Sequence, residues 1–319
     1  MARRALGPAT LAVLQAVQRS QAGEDLLVAC SGGADSLALA AAVARLAARG
    51  RFAARAVVID HNLQQDSAVH SRSVLDQLNT LGLPGQVIPV EVRTDGAGPE
   101  AAARAARYQA LSASLKPAER CYLGHTLDDQ AETVLLGLAR GSGLRSLAAM
   151  APTRDGFVRP LLGLRRAITR QSCQEQNLTW WDDPHNTSER FTRVRVRHTV
   201  LPVLEAELGP GIAEALARTA ELAREDADAL DGLAAAVGIP DELPCAVLAE
   251  LPPAVRNRVL RSWLLAGGAS EVTHRHVVAV AALVDDWHGQ QWVDVPGLRA
   301  ARREAALVVL PPAAAPAPR

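Results

Sequence analysis

Through the first 140 residues, short apolar runs alternate with stretches whose apolar positions recur at helical spacing. DLLVAC (25–30), ARAVVID (54–60), QVIPVEV (86–92) and CYLGH (121–125) are short, apolar and rich in β-branched residues, the pattern of buried strands. Between them SLALAAAVARLAARG, DSAVHSRSVLDQLNTLG and PEAAARAARYQALSASL show helical spacing, and the first two close near a glycine. This alternation predicts an α/β fold, a doubly wound parallel sheet with helices on both faces. MARRALGPATLAVLQAVQRS at the N-terminus reads as an amphipathic helix rather than a leader. Gly209-Pro210-Gly211 ends the alternation, and GIAEALARTAELAREDADALDGLAAAVG behind it predicts a long acidic helix. The expected organisation is therefore a sheet domain over 1–208, a smaller and mainly helical domain over 209–310, and a disordered tail over 311–319.

Composition narrows the classes. At 319 residues, 49% hydrophobic and 21% charged, the chain suits two globular domains with a sizeable core. No apolar run reaches the roughly 20 residues of a membrane span, so the expected setting is the cytoplasm and no membrane partner. Cys30, Cys121, Cys173 and Cys245 stand far apart without a CxxC pair, which argues against a disulfide framework and a thiolate metal cage. Lys116 is the sole lysine and precedes Pro117, so covalent lysine catalysis is not expected. The net charge of zero hides an asymmetry: 140–200 carries eleven arginines against five acids, and 205–250 eleven acids against two arginines. Arginine-dense segments neutralise nucleic-acid phosphates, although a solvated face has the same composition.

VACSGGADSLALA (28–40) carries the clearest chemistry. It follows a predicted strand, where ligands bind in open parallel sheets. Its glycines allow backbone to approach an anion, Ser31 and Ser36 add hydroxyls, and the next helix offers its N-terminal amides. It lacks the lysine of GxxxxGK[ST] and the spacing of GxGxxG.

Ser31-Gly32-Gly33-Ala34-Asp35-Ser36 resembles the signature of the PP-loop ATP pyrophosphatases, whose fold is adenine nucleotide α-hydrolase-like and which cleave ATP to AMP and pyrophosphate. Three further stretches narrow the resemblance. GHTLDDQAETVLLGLARGSGLRSL (124–147), RPLL (159–162) and WWDDPHNTSERFTRVRVRHTVLPVLEAELGP (180–210), with VIDHNL (58–63), are similar in kind and order to the tRNA(Ile)-lysidine synthases. The resemblance implies adenylation of the wobble cytidine of a CAU-anticodon isoleucine tRNA by ATP, followed by attack of free L-lysine. It implies a loop from Ser31 to Ser36 holding ATP, with His61 lining the nucleotide site, and Arg104 and Arg107 on phosphate or adenylate. Gln64 departs from the family's usual arginine. The resemblance also leaves a homodimer open.

Physical reasoning adds roles. Asp35, at the loop mouth, suits Mg²⁺ beside substrate phosphates. His125 ends a strand and suits a hydrogen bond to the reacting groups. Asp128 and Asp129, in a first helical turn, with Glu132 one turn on, suit a lysine ammonium, though helix capping explains one acid equally well. Arg193, Arg195 and Arg197 share a face if extended, and Arg193 and Arg197 do so if helical; either arrangement gives a basic ridge for tRNA backbone or the lysine carboxylate. Three rivals remain: a PP-loop tRNA-thiolating enzyme, which needs a reactive cysteine pair or an iron–sulfur cluster, a non-catalytic tRNA-binding protein, and an amidating enzyme of free small molecules, which gives the basic ridge no use.

Overall fold

A computed structural model describes residues 6–60, 67–91, 99–141, 143–182, 188 and 190–312. The chain forms two compact units, Met1–Ala223 and Arg224–Arg319.

The first unit opens with α1 (Pro8–Ser20), followed by β1 (Leu26–Ala29), α2 (Ala34–Ala47), β2 (Ala54–Asp60), α3 (Ser67–Thr80), β3 (Gly85–Pro89), α4 (Pro99–Ser114) and β4 (Arg120–Leu123). β1 to β4 and α2 to α4 match the predicted strands and helices to within a few residues, while α1 takes up only Pro8–Ser20 of the stretch 1–20. Next come α5 (Leu127–Ala139), the short α6 (Leu144–Leu147), the hairpin β5 (Thr153–Arg154) and β6 (Phe157–Val158), and α7 (Arg166–Glu175). α8 (Thr192–Arg195) runs through a π-helical turn at Val196–Val200 into α9 (Leu201–Glu207), and α10 (Ile212–Val237) begins in this unit and ends in the second.

The sheet order is β3-β2-β1-β4-β6-β5. Every pairing is parallel except the β5–β6 hairpin. Because successive strand side chains point to opposite faces, each strand feeds two cores. Leu26, Val28, Ala56, Val58 and Tyr122 join α1, α2, α3 and α7 on one face. Leu27, Val57, Cys121 and Leu123 join Leu111 of α4 on the other. Helices therefore cover both faces, and the doubly wound expectation is met. The chain winds outward from β1 through β2 to β3, then returns across the sheet to β4. The carboxyl ends of β1 and β4 thus flank a topological switch point, the crevice where such sheets bind ligands.

α1 depends on a partner far along the chain. The Glu175 carboxylate accepts from the amides of Ala9 and Thr10, at 3.2 and 2.8 Å, and so caps the donors that a helix start leaves open.

In the second unit, β7 (Leu243–Pro244), α11 (Cys245–Glu250), α12 (Pro253–Ala266) and α13 (His274–Asp285) precede β8 (Val293–Val295), β9 (Leu298–Arg303) and β10 (Ala306–Leu310). The four strands form an antiparallel sheet ordered β7-β10-β9-β8 around a core that includes Leu248, Leu260, Trp263 and Leu307. This smaller unit is mainly helical, as expected, but with a sheet built largely from the strand-like C-terminal stretch. Residues 313–319 of the expected disordered tail lie outside the described residues, as does His61.

Candidate active site

The loop from Cys30 to Gly33 joins β1 to α2 at the switch point. Gly32 sits at φ 82°, and a Cβ there would meet the Val74 side chain at 2.4 Å, so glycine is required on both counts. The Ser36 hydroxyl ties the turn together: it donates to the Gly33 carbonyl at 3.0 Å and accepts from the Ser31 amide at 3.2 Å. From outside, the Trp181 amide donates to the Gly32 carbonyl at 3.0 Å, and the Trp181 ring packs on His70 at 4.0 Å between centroids. Ala34, Asp35 and Ser36 form the first turn of α2 with their amides open to the crevice. Gly124, just past β4, lets that turn come close: a Cβ would lie 3.0 Å from the backbone of Asp35 and Ser36.

A cleft of about 830 Å³ opens from this loop, within the range of small-molecule sites. Ser31, Asp35, Ser36, Arg107, His125, Asp129, Arg166 and Arg197 line it. Most of the predicted site is thus gathered in one place.

On one side, acids and arginines interlock. Thr126 caps α5 in a reciprocal box: Asp129 accepts from the Thr126 amide at 2.8 Å, and its own amide faces the Thr126 hydroxyl. Asp129 therefore does serve as a capping acid, and its other oxygen accepts from Arg166 at 2.6 Å and from Arg197 at 3.3 Å. Glu132, fully buried, takes Arg197 at 2.7 and 3.1 Å and Arg166 at 3.4 Å. Asp128 turns the other way, accepting the Arg166 amide at 2.7 Å and pairing with Arg165 at 3.4 Å. Against the cost of burial, Arg166, the Thr126 amide and Arg197 hold the Asp129 carboxyl below its ordinary value. Asp129, Glu132, Asp35 and Asp128 likewise outweigh burial and raise Arg166 above the usual arginine value.

The segment bearing Arg193 and Arg197 is helical, which selects between the two geometries the sequence allowed. Arg193 reaches Thr133 at 3.2 Å and lies 4.0 Å from Glu132. The two arginines point into the acids, so the expected ridge leading away from the site is an inward clamp. A π-turn widens the helix at Arg197, a distortion common at functional sites.

Asp35 stands between the loop and this cluster. The Thr169 hydroxyl donates to its Oδ1 and Arg166 lies 3.4 Å from its Oδ2. Burial nevertheless pushes its pKa up to about 6, with Arg166 and Thr169 opposing and Asp129 adding to the rise.

On the other side, arginines gather without acids. Arg104 and Arg107 lie over the Tyr108 ring, at 4.9 and 5.7 Å. Arg104 and the buried Arg159 donate to the Tyr108 hydroxyl at 3.4 Å each, and the ring meets Phe157 edge-on at 5.0 Å. Among the described residues none of the three guanidiniums pairs with a carboxylate, and Arg159 Nε has no partner. Burial, with Arg104 and Arg193 nearby, draws Arg107 below its ordinary value. Arg104 is exposed while Arg107 faces the cleft. His125 lies where the two sides meet. Burial and Arg107, Arg159 and Arg104, opposed by Asp129, push its pKa down to about 3, which leaves the imidazole neutral, and its Nδ1 has no partner among the described residues.

Sequence reasoning missed Arg166, Thr169, Tyr108, Arg159 and His70. Arg166 opens α7 four residues past the RPLL stretch, and its charge at a helix start was the available signal. All four cysteines are free and buried, and burial pushes Cys121 and Cys173 up to about 12.

A glycine-turned phosphate cradle at the switch point, opening into a cleft with acidic and basic walls, defines a PP-loop, ATP-using enzyme. The PP-loop domain family matches residues 9–204, and the TilS substrate binding domain family matches 243–307. A tRNA(Ile)-lysidine synthase of Leifsonia xyli is 50% identical over 301 residues, covering 91% of this chain and 90% of the relative. One from Thermobifida fusca is 50% identical over 309 residues, covering 94% and 95%. The chain belongs to the tRNA(Ile)-lysidine synthase family, ATP-dependent ligases of tRNA modification. The U34-tRNA thiolase NcsA of Methanococcus maripaludis, at 15% identity and a TM-score of 0.58, covers 68% of this chain and 80% of its own; the likeness is one of fold. Among the described residues, no helix is long and apolar enough to cross a membrane.

Proposed function

We propose that this chain uses ATP to join free L-lysine to the wobble cytidine of a CAU-anticodon isoleucine tRNA, in the cytoplasm where these substrates meet. The cytidine C2 carbonyl oxygen attacks the α-phosphorus and pyrophosphate departs. The lysine ε-amine then attacks C2, giving up a proton, and AMP leaves with the oxygen. The observation that carries this reading is the single cleft in which the SGGADS loop meets both the arginine wall and the Asp129–Glu132–Arg197 wall.

The Ser31 hydroxyl and the backbone amides from Gly32 to Ser36 receive the pyrophosphate end of ATP. Arg107, with Arg104 at its outer edge, neutralises charge gathering on the α-phosphate. A neutral His125 hydrogen-bonds the cytidine or the phosphate. Asp129 and Glu132 receive the lysine amine, with Asp128 fixing the start of α7, and Arg197 and Arg193 take its carboxylate. One carboxylate at the loop mouth, rather than a cage of protein ligands, fits Mg²⁺ carried in on ATP phosphates, with Asp35 as its protein ligand. When bound, the ion supplies charge neutralisation on those phosphates. Four buried thiols, two with strongly raised pKa, favour this reading over sulfur transfer.

The test is incubation with ATP, Mg²⁺ and labelled lysine, offering CAU-anticodon isoleucine and methionine tRNAs in separate reactions. Label in the isoleucine tRNA alone, with AMP released, is the expected result. No label in either, with incorporation from a sulfur donor instead, overturns it.

A further inference from the structure

The acidic wall is already charge-balanced. Asp129 and Glu132 are met by the guanidiniums of Arg166 and Arg197, at 2.6 to 3.4 Å, with Arg193 at the edge, 4.0 Å from Glu132. Glu132 is 0% exposed and Asp129 11%, so a third cation entering beside them is left without a counter-charge in a poorly hydrated place. A lysine ammonium therefore needs one guanidinium to withdraw. The two arginines are not equivalent. Arg197 holds Glu132 through two bonds, from Nε at 2.7 Å and Nη2 at 3.1 Å, the paired geometry that guanidinium and carboxylate favour. Arg166 makes its only short bond to Asp129, touches Glu132 at 3.4 Å, and alone also reaches Asp35 at the mouth of the phosphate loop, with Nε 3.4 Å away. It already lies between the two half-sites.

We infer that Arg166 is a positioning residue that sits in the ammonium seat of the substrate-free protein and moves onto the phosphates when ATP fills the loop. Phosphate oxygens offer Arg166 a stronger anion than the shared edge of Asp129, and its departure leaves Asp129 and Glu132 with Arg197 in close contact and Arg193 only at 4.0 Å, so that once Arg193 meets the lysine carboxylate one negative charge is left over. That vacancy fits an ammonium. ATP and lysine are then coupled through one side chain: nucleotide prepares the amine site, and lysine by the same amount favours nucleotide. This inference rests on the lysine reading above and deepens it.

Calorimetric titration of lysine into the full-length protein, with and without a non-hydrolysable α,β-methylene ATP in Mg²⁺ buffer, tests the idea without turnover. Wild-type protein should bind lysine at least about tenfold more tightly with the analogue present. Arg166→Met should bind lysine tightly with or without the analogue, the coupling having gone. Arg166→Lys, which keeps a cation but loses the fork, should retain only part of the coupling. Equal lysine affinity in the wild type with and without analogue overturns the inference whatever the variants do. So does an Arg166→Met protein of normal melting temperature that binds lysine more weakly, the mark of a purely structural arginine. Absence of lysine binding under every condition, with the analogue itself bound, instead sinks the lysine reading and the inference with it.

Discussion

The two walls of the cleft use arginine in opposite ways. On one, Arg166 and Arg197 are matched against Asp129 and Glu132, so the wall is nearly neutral and held together by short charged contacts. On the other, Arg104, Arg107 and Arg159 have a tyrosine hydroxyl and ring for company and no carboxylate among the described residues. A paired arginine contributes to the fold. An unpaired one costs desolvation and repulsion and is repaid when an anion arrives. The difference predicts that arginine-side and acid-side substitutions will separate stability from activity.

The sharpest break should come at Glu132. With its side chain fully buried and two guanidiniums on it, Glu132→Gln should cost about 3 kcal/mol of stability, because it leaves charge uncompensated in a dry site. Urea unfolding followed by circular dichroism measures this, and a loss well under 1 kcal/mol would mean that the wall is held by something other than its charges. Arg107→Ala should do the reverse. Turnover should fall on the order of 10²- to 10³-fold, as for other donors aimed at developing negative charge, while stability changes by less than about 1 kcal/mol. Comparing kcat/KM with the urea midpoint for that one variant decides the matter. Equal damage to both would erase the distinction between the walls.

Which parts of this were legible beforehand follows from how local the cause is. β1 to β4 and α2 to α4 were readable because a buried parallel strand and a packed helix each write their period into consecutive residues. The Ser31–Ser36 loop was readable because its glycines and hydroxyls act within one turn. The capping role of Asp129 was legible too, since Thr126 lies three residues away. Arg166 was not, because its meaning is set by Asp35, 131 residues distant, and Asp129, 37 residues distant. The same holds for Glu175, which caps a helix 165 residues away. The inward turn of Arg193 and Arg197 escaped for another reason: alternating arginine and valine fits an extended face as well as a helical one, and tertiary ion pairing chose the helix. His61 lies outside the described residues, so its place beside the nucleotide rests on the resemblance alone.

Asp35 belongs to neither wall, and its pH dependence sharpens the contrast by the smallest margin. Although Arg166 and Thr169 touch it, burial raises its pKa to about 6 from an ordinary 3.8. Below about pH 3.8 the group carries its proton in both folded and unfolded chains, and folding bears no penalty. As pH rises from there through about 6 the unfolded chain gives up its proton first, so stability is lost across that window and stays lost above it. The shift sets a ceiling of about 3 kcal/mol, and a side chain 23% exposed brings the expected penalty nearer about 2 kcal/mol. In the presence of a chelator, Asp35→Asn should therefore melt higher than the wild type at pH 7.5, and the gap should close as pH falls toward 4. A gap that stays constant with pH would show that Arg166 compensates Asp35 as fully as it does Asp129, which would move Asp35 into the neutral wall and leave the loop mouth without an acid held ready for a cation.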